Sequence, residues 1–150
     1  MTERWERMMF RILLIEDNPR FRETIKVVLS TYFPLIDIAE AGDGHEAMEK
    51  IKASFPDLIF SDIKLPGENG INLTRRIKSF YPEIPVIILT TYDMPEYAEA
   101  TYSAGADYFL TKGSSTGEQL AGLVEEVMLS QKPEPADPSK RMEEAVIINA

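Results

Sequence analysis

Five residues suited to polar chemistry each follow an apolar run: Glu16 and Asp17 after RILLI, Asp62 after LIFS, Thr90 after PVIIL, and Lys112 after ADYFLT. If these runs are neighbouring strands of one parallel sheet, the five residues meet at its C-terminal edge, where open α/β sheets bind ligands. Three acids at one place repel each other unless a cation sits among them. The chain has no cysteine and one histidine, so the ligands on offer are oxygens. Oxygen ligands suit a hard ion, Mg2+ before zinc. Lys112 brings a mobile positive charge suited to a phosphoryl oxygen, and Thr90 brings a hydroxyl donor. A carboxylate in that company, Asp62, is a candidate nucleophile for phosphoryl transfer.

The stretch LIFSDIKLPGENG, residues 58–70, shows how such a residue is positioned. Its apolar run stops at Ser61-Asp62, and a loop of breakers follows with Pro66, Gly67, Asn69 and Gly70. This reads as a buried strand that delivers one carboxylate to its end. RILLI, at 11–15, does the same for Glu16 and Asp17. Asn18 as cap and Pro19 in the first turn open a helix ended by Pro34, with Phe21, Ile25, Val28, Leu29 and Tyr32 on one face. Leu35, Ile36 and Ile38 predict a second strand near a sheet edge, because Asp37 and Glu40 interrupt it. After the turn Gly42-Asp43-Gly44, a helix over 45–53 turns Ala47, Met48 and Ile51 inward. Asn69 caps the next helix, with Leu73, Ile77 and Phe80 inward and Arg75, Arg76 and Lys78 toward solvent. Pro85 to Leu89 is continuously apolar, as in a strand covered on both faces. The helix over 94–104 is poor in large apolar residues and leaves Tyr97 and Tyr102 exposed. A last strand over 106–110 precedes a helix capped by Ser114-Ser115-Thr116, with Leu120, Leu123, Val124 and Val127 in a stripe. Strand and helix thus alternate five times, which implies right-handed crossovers and helices on both faces of a parallel sheet.

The 150 residues suit one domain over 11–130, with a lead-in at 1–10 and a linker-like tail at 131–150. Trp5 is expected to cover a surface groove, and Val146-Ile147-Ile148 to dock on the domain or another subunit. Absence of cysteine excludes disulfide and thiol chemistry and fits a cytoplasmic setting. A formal net charge of -9 argues against nucleic-acid binding by this domain. No apolar stretch approaches the roughly 20 residues that span a bilayer, so no membrane partner is expected. His45 stands at a helix start, where a cation gains nothing from the helix dipole, and reads as a neutral surface residue. No GxGxxG follows the first strand, which argues against dinucleotide binding.

In order along the chain, ILLIEDN, DLIFSDIKLPGENG, PVIILTTYD and GADYFLTK give it a resemblance, over roughly residues 10–130, to response-regulator receiver domains of two-component signalling. The resemblance implies an α/β fold: a doubly wound five-stranded parallel sheet, (βα)5, in strand order 2-1-3-4-5. It implies phosphorylation of Asp62 by a sensor histidine kinase or phosphotransfer protein. Asp17 would bind Mg2+ directly, Glu16 would help hold it, and the carbonyl of Lys64 would complete the set. Thr90 would bind the phosphoryl group, Lys112 would pair with it, and Phe109 falls where the family keeps an aromatic switch. The face over 94–127 is the expected partner or homodimer surface. Lys64 and Tyr92 flank the approach of water, so a long-lived phosphorylated state is expected. Glu16 replaces the commoner aspartate, and Gly113 stands where many members have proline, so the loop into the last helix is expected to differ. The run from Tyr108 to Ser114 resembles receivers that precede a helix-turn-helix domain, which leaves open a stand-alone receiver or part of a longer regulator. Two competing readings are a haloacid dehalogenase-like phosphatase and an interaction module with an inactive site. The first expects a second acid where Lys64 stands, and the acid set speaks against the second.

Overall fold

The computed structural model describes residues 9–130. Strands β1 (Arg11–Ile15), β2 (Asp37–Ala41), β3 (Leu58–Ser61), β4 (Val86–Thr90) and β5 (Tyr108–Thr111) alternate with helices α1 (Pro19–Tyr32), α2 (Gly44–Ala53), α3 (Gly70–Phe80), α4 (Pro95–Ser103) and α5 (Gly117–Ser130). The strands form one parallel sheet in the order β2-β1-β3-β4-β5, as the resemblance implied. Successive strand residues point to opposite faces, and both faces are covered. Leu13, Ile15, Ile59, Val86 and Ile88 pack with Ala47, Ile51, Leu73 and Ile77 of α2 and α3. Ile12, Leu14, Leu58, Phe60, Ile87 and Leu89 pack with Ile25 and Leu29 of α1 and Leu120, Val124 and Val127 of α5. Two-sided cover is why β3 and β4 read as unbroken apolar runs.

Most helix starts are fixed by side-chain caps. Asn18 accepts from Arg20 N and Phe21 N, Asp43 from Glu46 N, and Asn69 from Ile71 N. Thr116 and Gln119 exchange reciprocal bonds of 2.8 and 3.1 Å, a capping box for α5. Helix α4 is the exception: Met94 offers no side-chain cap, and Thr101 alone is buried. This is the least anchored helix of the domain, beside the end of β4.

Several sequence expectations are corrected. Tyr32 lies in the last turn of α1, past the sheet, and is half exposed. Leu35 is 71% exposed, because the chain is still turning there and β2 begins at Asp37. Phe80, the last residue of α3, is 68% exposed and lies beside Tyr81. Lys78 does not face solvent. Its stem lies against Gly105 and its ammonium donates to Ile84 O at 2.7 Å and Asp107 Oδ2 at 2.8 Å, tying α3 to the segments that lead into β4 and β5. Tyr97 is half-buried against Tyr92, whereas Tyr102 is exposed as expected. The last strand runs from Tyr108 to Thr111. Trp5 and the segment 131–150 lie outside the described residues. Among the described residues, no helix is long and apolar enough to cross a membrane.

Candidate functional site

The site is assembled by backbone bonds that continue the sheet one residue beyond its strands. Glu16 N donates to Ala41 O at 2.9 Å, Asp62 N to Ile15 O at 3.1 Å, and Lys112 N to Thr90 O at 2.8 Å. Each of these residues is therefore held in strand geometry as its side chain leaves the core. The Lys112 ammonium reaches both acids: it donates to Asp62 Oδ2 at 2.8 Å and to Glu16 Oε1. It also lies 4.0 Å from the centroid of the Phe21 ring, a cation–π contact.

Glu16 and Asp62 are almost fully buried, at 2% and 8% exposure. Glu16 Oε2 accepts from Asn18 N at 3.0 Å. Asp62 Oδ1 accepts from Ile63 N at 2.7 Å and from Lys64 N at 3.4 Å. Burial pushes the Glu16 carboxyl above its ordinary value, and the bonds from Lys112 and Asn18 only partly offset this. For Lys112, burial pulls downward, but the hydrogen bonds to Asp62 and Glu16 outweigh it and the ammonium is held above its ordinary value. Two buried carboxylates share one ammonium, so with both ionised the unit keeps a net negative charge that a further cation can meet.

Thr90 is fully buried, and its hydroxyl oxygen accepts from Tyr92 N at 3.3 Å. Phe109 is half-buried in the same layer as Tyr92 and Tyr97. Lys64 is exposed on the loop after Asp62. Asp17 is exposed on the turn after Glu16 and makes no hydrogen bond or ion pair among the described residues. Thus Glu16, Asp62 and Lys112 are in contact, while the Asp17 carboxylate is at the rim. Among the described residues, no three acids or histidines form a ready-made metal cluster. The donor chemistry nevertheless fits a hard divalent ion, since every candidate ligand is an oxygen.

Some functional residues carried little signal. Gly70 was legible only as a breaker, yet a Cβ there would lie 1.9 Å from the Asp62 carbonyl oxygen. Its amide donates to Ile63 O at 2.6 Å, so α3 is seated directly against the Asp62 loop. Phe21 read as a core position of α1, and an aromatic at that spacing does not announce that it lies under an ammonium. His45 is on the surface, as read, with Glu49 Oε1 at 2.7 Å.

A doubly wound sheet carrying an acid pair, a buried aspartate and a lysine at the C-terminal ends of β1, β3 and β5 defines the class. The family model for the response regulator receiver domain matches residues 12–124, and the chain belongs to that family. It is 35% identical over 113 residues to the uncharacterized transcriptional regulatory protein YxjL of Bacillus subtilis, covering 75% of this chain and 52% of that protein. It is 31% identical over 112 residues to the transcriptional regulatory protein DegU of Brevibacillus brevis, covering 75% of this chain and 48% of DegU. The chain thus spans about half the length of these curated relatives. Among solved structures, it is similar to a CheY-like receiver domain protein from Methanospirillum hungatei, with a TM-score of 0.75, 26% identity, and coverage of 83% of this chain and 97% of that one. A LuxR-family two-component response regulator from Aurantimonas sp. gives a TM-score of 0.75 at 28% identity, covering 93% of this chain and 99% of that one.

Proposed function

We propose that this receiver domain accepts a phosphoryl group on Asp62 from a sensor histidine kinase or phosphotransfer protein, and thereby switches a protein-binding surface. The observation that carries this is the Asp62–Lys112 contact of 2.8 Å at the C-terminal edge of the sheet. An Asp62 carboxylate oxygen attacks phosphorus, the bond from phosphorus to the donor's histidine nitrogen breaks, and that nitrogen keeps the electron pair. Lys112 then faces a phosphoryl oxygen instead of a bare carboxylate. The Ile63 and Lys64 amides hold Asp62 Oδ1, which leaves the side chain one orientation for attack.

Asp17, Asp62 and the Lys64 carbonyl would hold Mg2+ directly, with Glu16 supporting it. When bound, Mg2+ supplies positive charge to the phosphoryl oxygens. Lys64 and Tyr92 flank the water approach without an acid or amide, which supports slow hydrolysis of the phosphorylated state. The switched surface is the face over 94–127, where lightly anchored α4 adjoins Thr90 and Phe109; its occupant is a protein partner or a second copy of the chain. No nucleic acid is bound by this domain itself, and its place is the cytoplasm, where such donors present phosphohistidine. Several relatives are named transcriptional regulators, and an output of that kind would belong to sequence beyond the receiver.

The test is mass spectrometry of the full chain treated with Mg2+ and a small phosphodonor such as acetyl phosphate. One phosphoryl group is expected, absent in Asp62→Asn. Labelling that persists in Asp62→Asn would overturn the assignment. Steady release of phosphate from small esters would instead favour the phosphatase reading, for which no observation on this site speaks.

A further inference from the structure

We propose that Arg22 is a positioning residue for the acid pair Glu16-Asp17: it fixes the peptide group between them in the orientation that binds a divalent cation. The inference rests on the magnesium-dependent reading above. Glu16 stands one residue past β1. Its N–H is still in the ladder, bonded to Ala41 O at 2.9 Å, but its carbonyl has left the sheet. A buried carbonyl needs a donor. Arg22 supplies it from α1, with Nη1 2.8 Å from Glu16 O.

The other edge of the guanidinium is held as well. Arg22 Nε lies 3.2 Å from Glu40 Oε1 on the edge strand β2, close enough for an ion pair though poorly aligned for a hydrogen bond. Glu40 also receives Lys26 Nζ at 3.2 Å. One side chain therefore joins α1, the end of β1 and β2. Two contacts in different directions suit the planar fork of arginine, whose Nε and Nη1 stand apart in fixed geometry, whereas an ammonium offers all its donors from one atom on a flexible stem. Glu40 has a second effect. A lone cation beside the acid pair would oppose binding of another cation, but Arg22 and Lys26 stand with two carboxylates, Glu40 and Glu23, which together offset them. What remains is orientation.

Glu16 and Asp17 depend on this clamp to different degrees. The Glu16 side chain is fixed independently by Asn18 N and Lys112 Nζ. The Asp17 side chain is exposed and makes no hydrogen bond or ion pair among the described residues. Its direction is set by its own backbone, and that backbone begins with the peptide group that Arg22 holds.

The experiment is calorimetric titration of Mg2+ into the full chain and its Arg22→Ala, Arg22→Lys and Arg75→Ala variants. Groups that orient metal ligands from behind typically contribute about 10–100-fold to affinity, and Arg22→Ala is expected to lose about that much. Arg22→Lys should fall between, and Arg75→Ala, on the exposed side of α3, should bind as the unaltered chain does. Amide NMR without metal adds a second readout. Arg22→Ala should move the Glu16 and Asp17 resonances and leave those of α3 and α5 in place. If the unaltered chain binds Mg2+ and Arg22→Ala binds it equally well, the inference fails and the functional reading survives. If the unaltered chain binds no Mg2+, both fail. If Arg22→Ala loses the fold, Arg22→Lys decides, and affinity equal to that of the unaltered chain overturns the inference.

Discussion

Lys112 donates to Asp62 Oδ2 at 2.8 Å across fifty positions of sequence, and the same ammonium holds Glu16. The site thus carries its own cation. Its two most buried carboxylates are tolerated because one lysine serves both.

The first prediction follows from removing that lysine. Deleting one partner of a buried ion pair costs about 3–5 kcal/mol. Lys112 is 12% exposed, so Lys112→Ala should lose stability toward the lower part of that range in the presence of a chelator. Mg2+ should narrow the gap to the unaltered chain, because it supplies positive charge to the same carboxylates. Urea unfolding with and without Mg2+ measures this. A gap that Mg2+ leaves unchanged would show that the ion does not meet these acids.

A second prediction concerns the seat of α3. A Cβ at Gly70 would lie 1.9 Å from Asp62 O and 2.8 Å from Ile63 Cα, both backbone atoms that cannot swing aside. Gly70→Ala should destabilise by about 1–3 kcal/mol, as overpacking does, and slow phosphodonor labelling by displacing Asp62. Gly67 is the control. Its φ of 77° strains any other residue, but a Cβ there meets nothing within 4 Å. Gly67→Ala should cost about 1–2 kcal/mol in backbone strain and leave labelling nearly unchanged. Equal labelling rates in the two variants would separate Gly70 from the chemistry.

The sheet and its edge were legible because strand ends are abrupt in this chain. Asp62, Thr90 and Lys112 each close a largely apolar run, and cover on both sides keeps Leu58 to Phe60 of β3 and Val86 to Leu89 of β4 wholly apolar. Helix ends were less legible. Tyr32 and Phe80 continue a helical apolar stripe in sequence, but the stripe outlasts the sheet it packs on, so both rings emerge. Lys78 shows the converse: a lysine at a polar position turned inward because two nearby backbone carbonyls, Pro82 O and Ile84 O, and the sequence-distant Asp107 accept from it. The Arg22–Glu16 bond was hidden for a related reason, since its acceptor is a backbone carbonyl, which no side-chain pattern marks.

Tyr108 supplies a pH prediction away from the site. Burial, then the charges of Glu126 and Asp107, hold its phenol above the ordinary value of 10.0. The folded state therefore keeps this proton where the unfolded chain has begun to release it. Tyr108 thus contributes stability that is fully present below pH 10.0 and is lost as pH rises through the higher folded value. Tyr108→Phe removes the titrating group, so its stability should fall less steeply in that alkaline window. Thermal melts of both chains from neutral pH upward measure the difference. Parallel curves would mean that the phenol is not held.

The last prediction follows the signal outward from Thr90. Its hydroxyl oxygen accepts the Tyr92 N–H at 3.3 Å, and the Tyr92 ring stacks on Tyr97 with centroids 4.9 Å apart and planes 22° apart. Tyr97 belongs to α4, which buries only Thr101 and lacks a side-chain cap. Phe109 packs in the same layer from β5. A phosphoryl group on Asp62 adds roughly -1.5 to -2 charge and strong acceptor oxygens. When the Thr90 hydroxyl turns to donate to one of them, the Tyr92 loop is pulled with it. The stacked pair then carries that displacement into the helix least able to resist it, and Phe109 can turn into the space vacated beside β4. The three replacements should fail differently. Thr90→Ala should accept the phosphoryl group but shift α4 weakly. Tyr97→Ala should be labelled as fast as the unaltered chain while its α4 resonances respond little. Phe109→Ala should leave labelling nearly intact and uncouple the outer face over 94–127. Amide NMR of α4 before and after phosphodonor treatment, with mass spectrometry of the same samples, separates labelling from response. Full α4 shifts in labelled Thr90→Ala would sink the route through Thr90, and full shifts in labelled Tyr97→Ala would sink the role of the tyrosine stack.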